Sequence, residues 1–317
     1  MKKQLKDLED WLIGPKRVEQ VETWSKSVSF PGFSGVPLYN IATFIYKELK
    51  RDDIMTRANS IAFSFFLSIF PFIIFVLPLI SILPWVEKKI EDFEGNLDGV
   101  VPDYAIQYFS QIVDGINPEG IFSIQGVGFV FAVFFASSGM LTLMYGFDKS
   151  YEVSFRSRSY LKKRWVAFNL TFLLSLMLIV AAVFIVIGQN YIHTLASSIT
   201  ISFIQSILLS LSKWVVVFLL FYLVITTIYR YGPSIYRPLK FINPGAIVAT
   251  VFSVLATFGF VYFLNNFGKY NEIYGSIATL IIILLWLQIN CFILLAGFEL
   301  NASIIVNRDA QILEDDK

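Results

Sequence analysis

Residues 58–83 read ANSIAFSFFLSIFPFIIFVLPLISIL, a run from Ala58 to Leu83 with no formal charge. Lipid offers no partner to a backbone N–H or C=O, so a chain crosses it only with its hydrogen bonds closed internally, which takes about 20 mostly apolar residues in a helix. This run is long enough to cross once. Five more stretches meet the same requirement: Ile121 to Phe147, Trp165 to Gln189, Ser206 to Tyr229, Pro244 to Phe267 and Ile273 to Phe298. The sequence therefore predicts an all-α polytopic membrane protein with six transmembrane helices. Its divisions are a cytoplasmic N-terminal segment (1–57), a membrane domain (58–300) and a cytoplasmic tail (301–317), whose last dozen residues are polar and expected to be mobile.

The whole chain agrees with that reading. Of 317 residues, 56% are hydrophobic and 15% charged, and the mean hydropathy is +0.65, outside the balance of a water-soluble domain. The first long apolar run begins only at Ala58, so no cleavable signal peptide is expected in the usual position and the first span serves as its own insertion signal. Nothing between Trp165 and Ser212 is formally charged. The turn between the third and fourth spans is therefore placed on Gln189, Asn190, His193, Thr194, Ser197 and Ser198, where residues 191–205 leave room for a short interfacial helix.

Lysine and arginine orient the bundle, because loops rich in them stay in the cytoplasm during insertion. With the N-terminus inside, 21 of the 25 basic residues fall on the cytoplasmic side, and only Lys88, Lys89, Lys213 and Lys269 fall outside. The first external loop, Pro84 to Gly120, is acidic. Six spans return the C-terminus to the cytoplasm, and the expected location is the cell inner membrane. Before the first span, Leu38, Ile41, Ala42, Ile45 and Leu49 recur at helical spacing behind Pro37. They predict an amphipathic helix that lies along the headgroups, packs under the bundle or docks a partner.

Polar residues inside lipid are costly and need a neighbour that receives them. At 100° per residue, Arg57, Ser60, Ser64, Ser68, Pro71 and Pro78 share one arc of about 80° on the first span. That stripe either fastens helices through small residues and hydroxyls, with the prolines kinking the helix, or borders an internal cavity as broken helices do in transporters. Gly128, Ala132 and Ala136 on the second span, and Gly245, Ala249, Ser253 and Thr257 on the fifth, read as packing seams. Asn243 before Pro244 reads as the N-cap of the fifth span.

The sixth span is polar on two faces, Gln288 and Glu299 on one and Trp286, Asn290, Gly297 and Asn301 on the other. A helix of this kind belongs at the centre of a bundle. Arg57, Arg230 and Glu299 all fall at cytoplasmic ends, so Glu299 is expected to pair with one of these arginines, as a lock or as a switch coupled to protons or substrate.

Several chemistries find no residues to carry them. His193 is the only histidine and Cys291 the only cysteine, so a histidine metal site, a thiolate cluster and an internal disulfide are excluded. There is no phosphate-binding loop and no nucleophile elbow. No cofactor and no enzymatic activity are expected. The basic run Arg156, Arg158, Lys162, Lys163 and Arg164 precedes the third span, where anionic headgroups explain it better than nucleic acid does.

A resemblance joins these observations. Tyr229 and Pro233, Asn243-Pro244-Gly245-Ala246, Tyr274-Gly275-Ser276, Leu285-Trp286-Leu287 and Gly297-Phe298-Glu299-Leu300-Asn301 resemble the YihY/BrkB family of inner-membrane proteins. Arg57-Ala58, Ser68-Ile69-Phe70-Pro71 and the basic linker from Gly146 to Arg164 extend the likeness, which covers about Tyr39 to Ser303. Phe298 departs from it, since the family more often has a small residue before the glutamate. The resemblance implies a six-helix bundle, a name linked to serum resistance and an old ribonuclease label. That label fits a chain with one histidine and mostly membrane poorly. The leading expectation is a transporter or exporter of a small or lipidic solute, its path lined by Ser60, Ser64, Ser68 and Pro71 and by Gln288 and Asn290. The rival is a non-transporting envelope protein. Membrane lipids are the expected partners, and nothing indicates a homo-oligomer.

Overall fold

A computed structural model describes residues 15–51, 54–81, 127–149, 151, 153–197, 202–266 and 276–315. The acidic loop Pro84 to Gly120 lies outside the described residues, as do the first fourteen positions and the side chain of His193. Among the described residues there are eight helices: α1 (Pro15–Ser27), α2 (Leu38–Arg51), α3 (Ile54–Ser81), α4 (Val127–Gly146), α5 (Tyr160–Ser197), α6 (Ser202–Tyr231), α7 (Pro244–Asn266) and α8 (Ser276–Asp315). The extended pairing among them is one antiparallel bridge, Phe155 with Ile235.

Four stretches, Ile54–Ile73, Tyr160–Ala181, Pro244–Leu264 and Leu280–Leu313, are long and apolar enough to cross a membrane, and α4 and α6 carry the shorter apolar runs Val130–Gly146 and Val215–Tyr231. Helices α3 to α8 pack in chain order, each on the next, and α8 closes the ring by packing on α3. Large apolar side chains such as Phe63, Phe131, Val180, Leu219, Phe252 and Tyr262 point outward. In water so much exposed apolar surface would aggregate; in a membrane it is the lipid-facing side.

Inside the ring the core is aromatic at one end. Phe147, Tyr229 and Phe298 are fully buried, with the rings of Phe147 and Phe298 4.4 Å apart and those of Phe147 and Tyr229 5.8 Å apart. Phe298 thus fills the centre where the ends of α4 and α6 meet the middle of α8.

Two expectations change. The run Gln189 to Ser197 is the last part of α5 and not a turn, because uncharged residues with no proline or glycine after Gly188 let the helix continue. The polar tail is not loose either: α8 continues to Asp315, and Ala302, Ser303, Ile304 and Ile305 are buried. A helix of this length is about 60 Å long, twice the hydrocarbon thickness, so its end projects from the bilayer and needs other company. It finds α2, whose Ile41 and Ile45 pack with Val36 against Leu300 and Ile304. The amphipathic helix therefore lies under the bundle.

The α4–α5 linker meets the same end of α8, where the Ser154 hydroxyl donates to Asp309 at 2.8 Å. It is tied to the α6–α7 linker by Arg156 N–H to the Ser234 carbonyl at 2.8 Å and Tyr236 N–H to the Ser154 carbonyl at 3.1 Å. The N-terminal helices, both linkers and the end of α8 are thereby gathered at one end of the bundle.

Candidate functional site: a buried charge cluster

Helix α8 carries Glu299 into that gathering with its side chain 1% exposed. Two cations converge on its Oε1: Lys149 Nζ at 2.7 Å, from just beyond the C-terminus of α4, and Arg57 Nη2 at 3.1 Å, from the first turn of α3. Lys149, itself 2% exposed, also reaches Oε2 of Glu48 on α2 at 2.8 Å. The other oxygen of Glu48 accepts the Tyr151 hydroxyl at 2.6 Å. Arg57 Nη1 donates to the Gly146 carbonyl at 2.9 Å, one of the carbonyls that the end of α4 leaves without a helical partner. Among the described residues, two acids and two cations thus meet where α2, α3, α4 and α8 come together.

Such a cluster is not a cheap way to hold helices. Desolvation costs several kcal/mol per ion, and an apolar replacement of the whole set is often as stable or more so. Removal of one member, by contrast, strands its partners at a cost of about 3–5 kcal/mol. Satisfaction is also incomplete, since Glu299 Oε2 is buried and has no hydrogen-bond partner among the described residues.

The sequence named two arginines for Glu299, and the structure brings in Arg57. Arg230 lies elsewhere, donating from Nη1 to the Leu239 carbonyl at 2.6 Å and lying 4.6 Å over the Phe241 ring. Lys149, Glu48 and Tyr151 were missed. Glu48 had left a signal: with Ile41 and Ile45 it keeps the i, i+4, i+7 spacing of the apolar face, so an acid was pointed at the bundle and required a cation there.

The stripe on α3 divides. Ser68 is buried, its hydroxyl 2.8 Å from the Ser64 carbonyl and 3.1 Å from that of Phe135, and it accepts the Gly139 N–H at 3.0 Å. A Cβ on Gly139 would stand 2.7 Å from the Phe65 ring, so α3 and α4 touch closely here. Ser68 therefore fastens two helices, while Ser64 only offers its carbonyl to Ser68 within α3. Ser60 is exposed on the outside, Pro71 is half-buried, and α3 runs through Pro71 and Pro78 without interruption.

On α8 the two faces part as well. Gln288 reaches the Met55 sulfur at 4.0 Å, so it faces α3 as Glu299 does, and Asn290 turns back to the Trp286 carbonyl at 2.9 Å. The opposite face meets α7. Asn243 Oδ1 accepts the Ala246 N–H at 2.8 Å, the N-cap bond, and also the Asn301 amide at 2.8 Å, while Asn301 Oδ1 accepts the Gly245 N–H at 3.0 Å. Two of the orphan donors opening α7 are thus held by asparagines. The approach is backbone on backbone: a Cβ on Gly297 would lie 2.6 Å from the Tyr229 hydroxyl and 2.8 Å from the Gly245 carbonyl. Tyr229 locks the same point by donating to the Leu294 carbonyl at 2.6 Å.

Comparison with known proteins follows these residues. The model of the family described as Virulence factor BrkB matches residues 45–317, from the middle of α2 to the end of the chain. A protein of Bacillus subtilis (strain 168) named as ribonuclease-like protein YfkH is 27% identical over 256 residues, 78% of this chain and 88% of its own length. UPF0761 membrane proteins of Actinobacillus pleuropneumoniae and Mannheimia succiniciproducens are each 27% identical, over 80% and 81% of this chain and 89% and 86% of theirs. No solved structure matches the chain.

Proposed function

The chain belongs to the BrkB family of membrane proteins, and from that premise we propose a six-span bundle of the inner membrane that moves a small or lipidic solute, with the buried charge cluster as the latch on its cytoplasmic end. Glu299 carries the proposal: a buried carboxylate with two cations on one oxygen and, among the described residues, no hydrogen-bond donor on the other is an element with more than one arrangement open to it. A small shift of α8 against α3 or the α4–α5 linker exchanges its partners, which is how packed interfaces switch. Three nearly dry charges, Glu48, Lys149 and Glu299, with the partly exposed Arg57 beside them are a costly way merely to hold helices.

The six-span topology is supported by the chain-order ring of α3 to α8 and by the gathering of α2, both linkers and the end of α8 at one end. The excess of lysine and arginine in those segments supports placing that end in the cytoplasm, with both termini. With Ser68 taken up by the α3–α4 seam, the route is assigned to the α8 side, past Gln288 and Asn290. We assign no catalytic chemistry and no cofactor; the partners in this reading are lipids and the transported solute.

The seam itself favours a second reading, a non-transporting envelope protein in which polar groups only fasten helices. Flux through liposomes separates the two. Purified wild-type protein is expected to pass at least one of several solute classes, and Glu299→Gln, which keeps the shape and removes the charge, to lose most of that flux. Equal flux in liposomes with and without the protein would overturn transport in favour of the second reading.

A further inference from the structure

The α4–α5 and α6–α7 linkers enclose a cleft of about 450 Å³ against the first turns of α5, well apart from Glu299 in its lining. Three arginines line it, Arg156, Arg158 and Arg230, together with Val166, Leu170 and Leu173 of α5. Among the described residues no carboxylate pairs with any of the three arginines; the nearby Asp148 is engaged with Lys163. Arg158 uses Nη1 on the Tyr231 and Gly232 carbonyls at 3.3 and 3.1 Å, and Nε of Arg230 is buried with no hydrogen-bond partner. Burial first, and Arg156 second, hold Arg158 below the usual arginine range, with Asp148 acting the other way. Converging guanidinium groups without a counter-charge form a receptor for an oxyanion, because their planar forks match phosphate oxygens in pairs.

The walls say which oxyanion. From Trp165, where the apolar span begins, the lining continues along α5 to Leu173, about 12 Å into the hydrocarbon at 1.5 Å per residue. A free phosphate has no use for that aliphatic wall, and a lipid needs both parts. We propose that the cleft seats an anionic phospholipid, its phosphate against Arg156, Arg158 and Arg230 and the start of an acyl chain along Val166, Leu170 and Leu173. Basic pockets between helix ends take anionic headgroups in this manner. The site stands whether or not the bundle moves a solute.

Native mass spectrometry of the delipidated full-length protein tests it, with phosphatidylglycerol, phosphatidylcholine and inorganic phosphate offered in turn. Phosphatidylglycerol is expected to be retained, phosphatidylcholine lost, and phosphate unable to displace the bound lipid. Arg156→Gln and Arg230→Gln should each lower retention roughly fivefold, near the worth of one surface arginine against an anionic lipid. Arg237→Gln, at an exposed position outside the cleft, should leave it unchanged. Leu173→Trp blocks the aliphatic part without touching a hydrogen bond and should also lower retention; it decides the matter if an arginine variant fails to fold. Equal retention of the two lipids, or equal retention by Arg156→Gln and Arg237→Gln, would overturn the site. Displacement by inorganic phosphate with Leu173→Trp harmless would overturn the lipid and mark a soluble anion instead.

Discussion

Lys149 holds two carboxylates from different helices on one ammonium group, Glu48 at 2.8 Å and Glu299 at 2.7 Å. Its loss removes a cation that both of these buried acids share. Lys149→Met is therefore expected to lower stability by about 3–5 kcal/mol. In Lys149→Met with Glu48→Gln, the stranded acid on α2 is neutral and part of the loss should return, the non-additivity of residues that share a network. Thermal unfolding of the purified protein in detergent measures both. If the double variant melts no higher than the single one, Lys149 does not bridge the two acids. Half of this cluster was readable beforehand: a lone glutamate at the end of an apolar span demands a cation, and Arg57 lies at the matching end of another. Lys149 was hidden because in the sequence it is one member of a basic linker, and only the fold shows that the linker turns inward after Phe147.

At the scale of elements, the start of α7 and the seams were legible, and the ends of α5 and α8 were not. Asn243-Pro244 placed the start of α7 at Pro244 because an N-cap followed by proline has few other uses. The end of α8 was placed at Phe298 because a count of apolar residues stops where hydrocarbon stops, whereas the helix runs on to Asp315, its Ile304 packed against α2 and its Asp309 bonded to the α4–α5 linker. The end of α5, read at Gln189, was missed because a polar but uncharged run without proline or glycine does not stop a helix, which runs to Ser197. Two glycines of α7 now separate by neighbourhood. A methyl group on Gly245 would run into the Gly297 carbonyl and the Asn301 amide, and one on Gly259 would meet nothing within 4 Å. Gly245→Ala is expected to cost about 1–3 kcal/mol by overpacking, and Gly259→Ala to gain about 0.5–1 kcal/mol from helix propensity. Their melting temperatures should move in opposite directions from wild type; a shared direction would mean that α7 and α8 are not in backbone contact.

For the molecule as a whole, the ring order and the cross-ties fix which surfaces share a side of the membrane, and charge then decides which side that is. Trp24 on α1, Tyr236 in the α6–α7 linker and Ile312 near the end of α8 are exposed, and each belongs to a segment tied to the same end of the bundle. Cys291 is buried and is the only cysteine, so a Cys291→Ala background lets one new thiol be read at a time. Trp24→Cys, Tyr236→Cys and Ile312→Cys are expected to behave alike toward a membrane-impermeant thiol reagent, silent in intact cells and labelled once the inner membrane is opened. The two parts of that result test different physics. All three labelled in intact cells would keep the fold and reverse the orientation, contradicting the pull of the cytoplasmic arginines and lysines. One position labelled from the side opposite to the others would break the ring itself, since no membrane can pass between Tyr236 and the end of α8 while Ser154 joins the linker to both.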